Sequence, residues 1–247
     1  MKKFGMMFIA CALCLSALVS TAKAEIVVSG DVYAGMYSKY VFRGLDLSQN
    51  KWVGQFGADL SYKGFSLGYW SNMLTKDISG GAPDLDSGEI SETDITLNYN
   101  FTPIELLTFN VGNTFYSLAD LSDTNELYAK TTVNTLLSPT FAIYWDWDES
   151  TKTGLFYSLS IGHSFELMKG LSLNLGALAS YNQQNYSVSE SFSNWNNYEL
   201  SSGIDYAVTD NVKLSASYMY SNAISDKARD AGIENKNVFG LKAAFNF

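Results

Sequence analysis

The chain has a single histidine, His163, and a serine directly after it, Ser164. Hydrolysis by a serine nucleophile needs an imidazole base within about 3 Å of the hydroxyl. In an extended strand, neighbours point to opposite faces, and the residues sharing a face with His163 are Ile161 and Phe165. Only a serine on an adjoining strand could therefore serve such chemistry. Cys11 and Cys14 have the C-x-x-C spacing of redox and metal sites, but both lie inside an apolar run near the start. Carboxylates crowd together in Asp84-Leu85-Asp86-Ser87-Gly88-Glu89 and in Asp146-Trp147-Asp148-Glu149. Calcium favours oxygen ligands of this kind. Neither stretch matches a defined loop motif, solvated acidic loops account for both, and no metal or cofactor is expected.

A larger set of polar residues recurs with period two. Asp31, Asp59, Asp94, Glu126, Asp146, Glu199 and Asp205 share one parity with Lys39, Arg43, Lys130, Lys213 and Lys242. The aromatic residues Tyr33, Tyr37, Trp70, Tyr128 and Tyr144 fall on that parity too. If this face encloses water, rows of opposite charge would set up a transverse field in which an acidic excess favours cations. The alternative is that the charges pair across strands and stiffen the wall. The aromatics would stack on sugar rings or bases, or simply fill space near the mouth. Arg43, one of two arginines, carries a planar guanidinium suited to an acidic side chain or a phosphate.

The elements that must hold these residues are strands. About twelve segments of roughly ten residues alternate apolar with polar or small residues, from Val28, Gly30, Val32, Ala34 and Met36 to Phe239, Leu241, Ala243, Phe245 and Phe247. No i, i+3, i+4 stripe persists anywhere. Alternation by itself does not say which face is inside, so other features must decide. Short connections (63–64, 102–105, 138–139, 168–170, 209–211) alternate with long polar ones (44–51, 74–88, 119–125, 148–152, 184–194, 222–235). Short turns at one end and long loops at the other are characteristic of outer-membrane barrels. Five turns and six loops join an even number of strands, and pairing the first with the last leaves no open edge, which lipid would not tolerate.

Aromatics on the apolar parity also sort by height. Trp52, Phe115, Trp145, Trp147, Tyr181, Tyr198, Tyr218, Tyr220 and Phe239 lie near the long loops, whereas Tyr62, Phe65, Tyr99, Phe101, Phe141, Phe165, Tyr206 and Phe247 lie near the short turns. Two such belts with aliphatics between them match the two headgroup levels of a bilayer. The expectation is an all-β fold, a transmembrane antiparallel up-and-down barrel of about twelve strands over residues 25–247, with loops 74–88 and 222–235 as candidate gates. Segments 86–95 and 112–119 alternate poorly, which leaves ten or fourteen strands as alternative counts.

Ahead of the barrel, Met1-Lys2-Lys3, the apolar run 4–19 and Ala22-Lys23-Ala24 have the form of a secretory signal peptide spanning residues 1–24. Its removal would take away both cysteines and three lysines. Lys+Arg would fall from 16 to 13 against an unchanged 25 acids, moving the net charge from −9 to −12. So acidic a chain is a poor partner for nucleic acid. Beyond residue 24 no stretch of about 18 apolar residues would make a membrane-spanning helix.

The first hairpin carries Ser38-Lys39-Tyr40-Val41-Phe42-Arg43-Gly44-Leu45-Asp46-Leu47-Ser48-Gln49, followed by Leu67-Gly68-Tyr69-Trp70-Ser71-Asn72. This resembles the bacterial outer-membrane porins of the TorF type over roughly residues 37–73; beyond that only barrel pattern and length agree. The resemblance implies a small barrel acting as a channel, with no catalytic residues to carry over. The expected function is therefore passive diffusion of small hydrophilic solutes in the bacterial outer membrane. A structural or adhesive barrel with a closed lumen is the alternative, and a lipid-modifying enzyme comes third. Expected partners are outer-membrane lipid and lipopolysaccharide, and the barrel assembly machinery, which would read the closing strand and its final Phe247.

Overall fold

A computed structural model describes residues 27–80 and 84–247; residues 1–24, expected as a signal peptide, lie outside them. Strands β1 (Ser29–Tyr37), β4 (Val53–Tyr62), β5 (Phe65–Leu74), β6 (Ile90–Ile104), β7 (Leu107–Leu118) and β8 (Thr124–Val133) form one half of the wall. The other half is β9 (Thr140–Asp146), β10 (Leu155–Met168), β11 (Leu171–Gln183), β12 (Ser193–Ala207), β13 (Val212–Ala223) and β14 (Lys236–Asn246). These twelve strands close into one antiparallel barrel, with β1 paired to both β4 and β14. Two short strands, β2 (Val41–Phe42) and β3 (Leu45–Asp46), pair only with each other inside the first loop. A short helix, α1 (Asp226–Asp230), follows β13 and is capped by Ser225, whose hydroxyl accepts the Ala228 N–H.

The apolar parity faces outward. Leu97, Phe141, Leu159, Leu200, Phe239 and Leu241 are each at least half exposed, whereas the fully buried side chains include Glu126, Asn182, Asn185, Asn196 and Asn197. Oil therefore belongs outside and polar groups within, the inverse of a water-soluble globule. Ring contacts tie both belts together. Tyr181 packs edge-on against Trp195 and Tyr218 lies 5.0 Å from Phe239 at the loop end, while Tyr99 stacks on Phe101 and Phe101 on Phe109 at the turn end.

The poorly alternating stretch before Ile95 has a structural cause. A β-bulge shifts the register between β5 and β6 at Asn72/Met73, so Met73 pairs with Ile90 while Asn72 pairs with Glu92. A second bulge at Ala179/Tyr181 lets Asn196 and Asn197 both turn inward and swings Trp195 to the outer face, where it is half exposed. Extending strict alternation back from Tyr198 would have turned Trp195 into the lumen. An extra residue reverses the face of everything beyond it.

Glycines inside the barrel receive tyrosines from neighbouring strands. Tyr33 is paired across the ladder with Gly57, Tyr37 with Gly240, and Tyr128 with Gly112, and in each case the phenol occupies the space a Cβ would need. These rings lie flat along the wall rather than projecting to the barrel axis. Replacing Gly240 with valine is expected to push Tyr37 off the wall and lower stability by about 1–3 kcal/mol, measured as an earlier urea midpoint in detergent. A double variant that also carries Tyr37→Ala should recover part of the loss.

Candidate functional site

The lumen is built from inward positions of all twelve strands and from one loop. Residues 38–52, joining β1 to β4, bend into the barrel and carry Lys39 and Arg43 with them. The tip takes left-handed backbone at Arg43 (φ 51°) and Gly44 (φ 88°). At Gly44 a side chain would also strike Ile233 and Asn197, so only glycine fits.

Arg43 is the centre of the arrangement. Its Nη1 and Nη2 donate to Glu126 Oε1 and Oε2 at 2.8 and 2.7 Å, a bidentate pair, and Nη1 also donates to Asn185 Oδ1 at 3.0 Å. The same carboxylate accepts from Asn185 Nδ2 at 2.8 Å and from the Tyr116 hydroxyl at 3.0 Å. The guanidinium sits over Phe156, Tyr144 and Phe42 at 4.3, 4.9 and 4.8 Å from their ring centres. Asn196 Nδ2 donates to the Arg43 carbonyl at 2.9 Å, fixing the loop's backbone as well as its side chain. Burial acts against the Arg43 charge, but the adjacent carboxylate outweighs it and raises the guanidinium's pKa above its ordinary high value. A bidentate pair with every remaining acceptor satisfied is the arrangement in which a buried ion pair holds its place.

Two apolar clusters grip the loop from its flanks. Tyr40 is buried with Val53, Leu74 and Ile78, and Phe42, Leu47, Trp70 and Leu85 pack on them. On the other side Leu45 and Tyr144 pack against Phe156, Val188, Phe192, Ala228 and Ile233. Loops 74–88 and 222–235 therefore act through these clusters as clamps over the first loop. Segment 38–52 is the one that carries Arg43 to Glu126 of β8.

The other charged residues expected in the lumen sit in distinct environments. On β1, Asp31 stands across the ladder from Asp59 of β4, near the turn end. Asp94 of β6 pairs with Trp70 of β5, and Trp70 packs 5.3 Å from Tyr40. Lys130 of β8 lies over Tyr128 and Tyr144, at 4.7 and 5.5 Å, and Lys242 of β14 lies 5.3 Å over Tyr33. Asp205 accepts from the Ser215 hydroxyl at 2.6 Å and stands 3.9 Å from Lys213. Asp146 is not a free lumen charge: its Oδ1 accepts three backbone N–H groups, from Asp148, Glu149 and Ser150, and its Oδ2 accepts from Thr124. It shapes the loop after β9. Lys39 reaches Asn50 within its own loop at 2.6 Å.

Several residues of this network went unread in the sequence. Asn185, Asn196 and Asn197 belong to a loop or a bulge, where parity carries no information. Glu92, buried beside Asn72, lies on the lumen parity of β6, two residues before Asp94. His163 faces outward, its ring edge-on to Phe165 at 4.4 Å and its cross-strand neighbour Leu175.

Beneath the loop, the two sides of the lumen differ. Strands β1 and β4–β9 send Tyr33, Tyr37, Trp70, Tyr116, Tyr128 and Tyr144 inward, and the loop fills the space above them. Strands β10–β14 present mostly small groups, among them Ser160, Gly176, Ser201, Gly203, Ser215, Ser217 and Gly240. Along this side runs a series of cavities. One of about 240 Å³ lies under Val41, Phe42 and Arg43, against Leu178, Glu199 and Met219. It adjoins, through Val41 and Met219, one of about 280 Å³ that reaches Tyr37, Ser201 and Ser217. The third, about 360 Å³, continues past Ser201 and Ser217 to Asn174, Asp205, Ser215 and Lys242.

Known proteins share this architecture at low sequence identity. The NanC porin superposes with a TM-score of 0.54 at 13% identity, covering 87% of this chain and 98% of its own. The KdgM porin gives 0.55 at 11%, with 89% and 99% covered, and an outer membrane channel from Pseudomonas putida F1 gives 0.54 at 10%, with 92% and 100%. These likenesses are of fold, and the structures concerned are porins and channels rather than enzymes. No curated protein sequence matches the chain. A family model described as a bacterial protein of unknown function matches residues 20–245. A match over nearly the whole barrel makes this chain a member of the Gcw_chp family.

Proposed function

We propose that the protein is an outer-membrane channel through which small hydrophilic solutes diffuse passively. The observation that carries this reading is the line of adjoining cavities beside the first loop, along the small-residue wall of β10–β14. A barrel of twelve strands is wide enough that inward side chains need not fill it, and here an inserted loop fills one side while the cavities lie along the other. The TorF-like words support the same reading, since residues 37–73 make up the end of β1, the inserted loop, β4 and most of β5. The KdgM porin has been solved in complex with disordered oligogalacturonate, which supports a hydrophilic solute class for barrels of this shape. Residues 1–24 would serve as the cleaved export signal, and the apolar outer face would meet lipid and lipopolysaccharide. The closing strand, paired to β1 and ending at Phe247, would be the part read by the assembly machinery.

A second reading, a structural barrel with a closed lumen, draws on the buried Arg43–Glu126 pair and the two clusters that hold the loop in place. Conductance separates the two. Purified, folded protein added to a planar bilayer is expected to give discrete current steps, and liposomes carrying it to swell in small sugars more slowly as sugar size increases. Folded, inserted protein that gives neither would remove the channel reading and leave the closed barrel.

A further inference from the structure

The smallest of the three adjoining cavities, about 240 Å³, lies just beneath the inserted loop, and its lining is mostly apolar. Val41 and Phe42 form one side; Leu178 of β11 and Met219 of β13 face them. Two charged groups border this cavity, Arg43 and Glu199. The Arg43 charge is already engaged bidentately by Glu126. Glu199 belongs to none of the ion pairs among the described residues.

Glu199 is nevertheless held in place. Asn197, two residues earlier on β12, donates from Nδ2 to Glu199 Oε1 and to Ser221 Oγ, both at 2.9 Å. Asn197 Oδ1 in turn accepts from Ser180 Oγ at 2.6 Å and from Asn196 Nδ2 at 2.9 Å. With every polar atom of Asn197 used, the carboxylate it presents has little freedom to turn away. Further down the lane, Asp205 is offset by Lys213, and Lys242 adds a cation where the passage is larger. The uncompensated charge lining this smallest cavity is therefore one anion in apolar surroundings, where a charge acts on a passing ion most strongly.

We infer that Glu199 is the specificity-determining residue of the channel, admitting cations and small neutral solutes and holding back anions. This rests on the channel reading and adds the solute class to it. Acidic saccharides would be poor solutes here.

The test is the reversal potential in a potassium chloride gradient, with purified protein in planar bilayers. Wild type is expected to prefer potassium, and Glu199→Gln, which keeps the shape and can still accept from Asn197, to bring the cation-to-anion permeability ratio down several-fold toward unity. Should that variant fold poorly, Ser201→Lys gives the same readout. It places a cation on the same face of β12, opposite Gly176, where there is room for it, and is expected to cancel the preference. Glu166→Gln, a neutralisation on β10 close to the turn end, should leave the ratio unchanged. A wild type that prefers chloride, an unaltered ratio in both Glu199→Gln and Ser201→Lys, or an equal drop in Glu166→Gln would each overturn the assignment while the channel survived. Folded wild type without conductance would overturn the channel reading, and this assignment with it.

Discussion

Replacing Glu126 with alanine is expected to free the inserted loop and raise single-channel conductance several-fold. The carboxylate is fully buried and takes both guanidinium forks of Arg43. Without it, Arg43 keeps one acceptor, Asn185 Oδ1, among three aromatic rings. Arginine cannot shed its proton, and breaking a buried pair from one side costs about 3–5 kcal/mol. The loop has a cheaper response than unfolding, because residues 38–52 can swing out on their ends at β1 and β4 without breaking any ladder pairing of the barrel. The cost should then appear as a larger, noisier conductance with little change in the urea midpoint of the wall. Arg43→Ala should act in the same direction but more weakly. The abandoned Glu126 keeps donors in Asn185 and Tyr116 and can neutralise itself by taking a proton, an escape arginine lacks. Equal conductance in wild type and Glu126→Ala, with the barrel itself destabilised, would mean that the loop is an inseparable part of the wall.

The second large effect concerns two adjacent residues of β10. Ile161 is exposed on the outer face, midway between Tyr157 near the loop end and Phe165 near the turn end, whereas Ser160 points into the lumen opposite Leu178. Ile161→Arg should cost about 2–4 kcal/mol of folding free energy in lipid vesicles, the range for arginine at the midplane of a barrel's lipid face. Ser160→Arg should stay within about 0.5 kcal/mol, as substitutions in water-exposed positions usually do. Urea titrations in vesicles, followed by tryptophan fluorescence, would give both values. Equal tolerance at the two positions would mean that the outer face does not meet hydrocarbon, and the membrane assignment would fall. The comparison is sharp because one residue of strand separates oil from water.

Much of the wall was legible in the chain because strand geometry is local. A side-chain period of two turns Val32, Leu97, Leu159 and Leu241 one way and Asp31, Asp59, Asp205 and Lys242 the other, whatever the rest of the molecule does. The order of short and long connections then fixed antiparallel neighbours, and twelve strands follow. Where an extra residue interrupts the period, at Asn72/Met73 and Ala179/Tyr181, parity failed, and Asn196 and Trp195 were missed with it. The glycines under Tyr33, Tyr37 and Tyr128 show the same limit. The sequence placed these rings in the lumen, but only the register showed that each lies over a glycine of the next strand.

The sequence alone thus determined the barrel, a count of about twelve strands, its greasy exterior and the sign of its charge, since each follows from spacing along one strand, from the order of connections or from composition. Tertiary structure decided what Arg43 and its loop meet inside the barrel. The partners of Arg43 are 83 and 142 residues away, brought together by closure of the sheet and by loops whose conformation no periodicity encodes. A guanidinium buried against a distant carboxylate is a property of the closed ring, and so is the placing of Glu199, which belongs to no ion pair among the described residues, at the cavity beneath it.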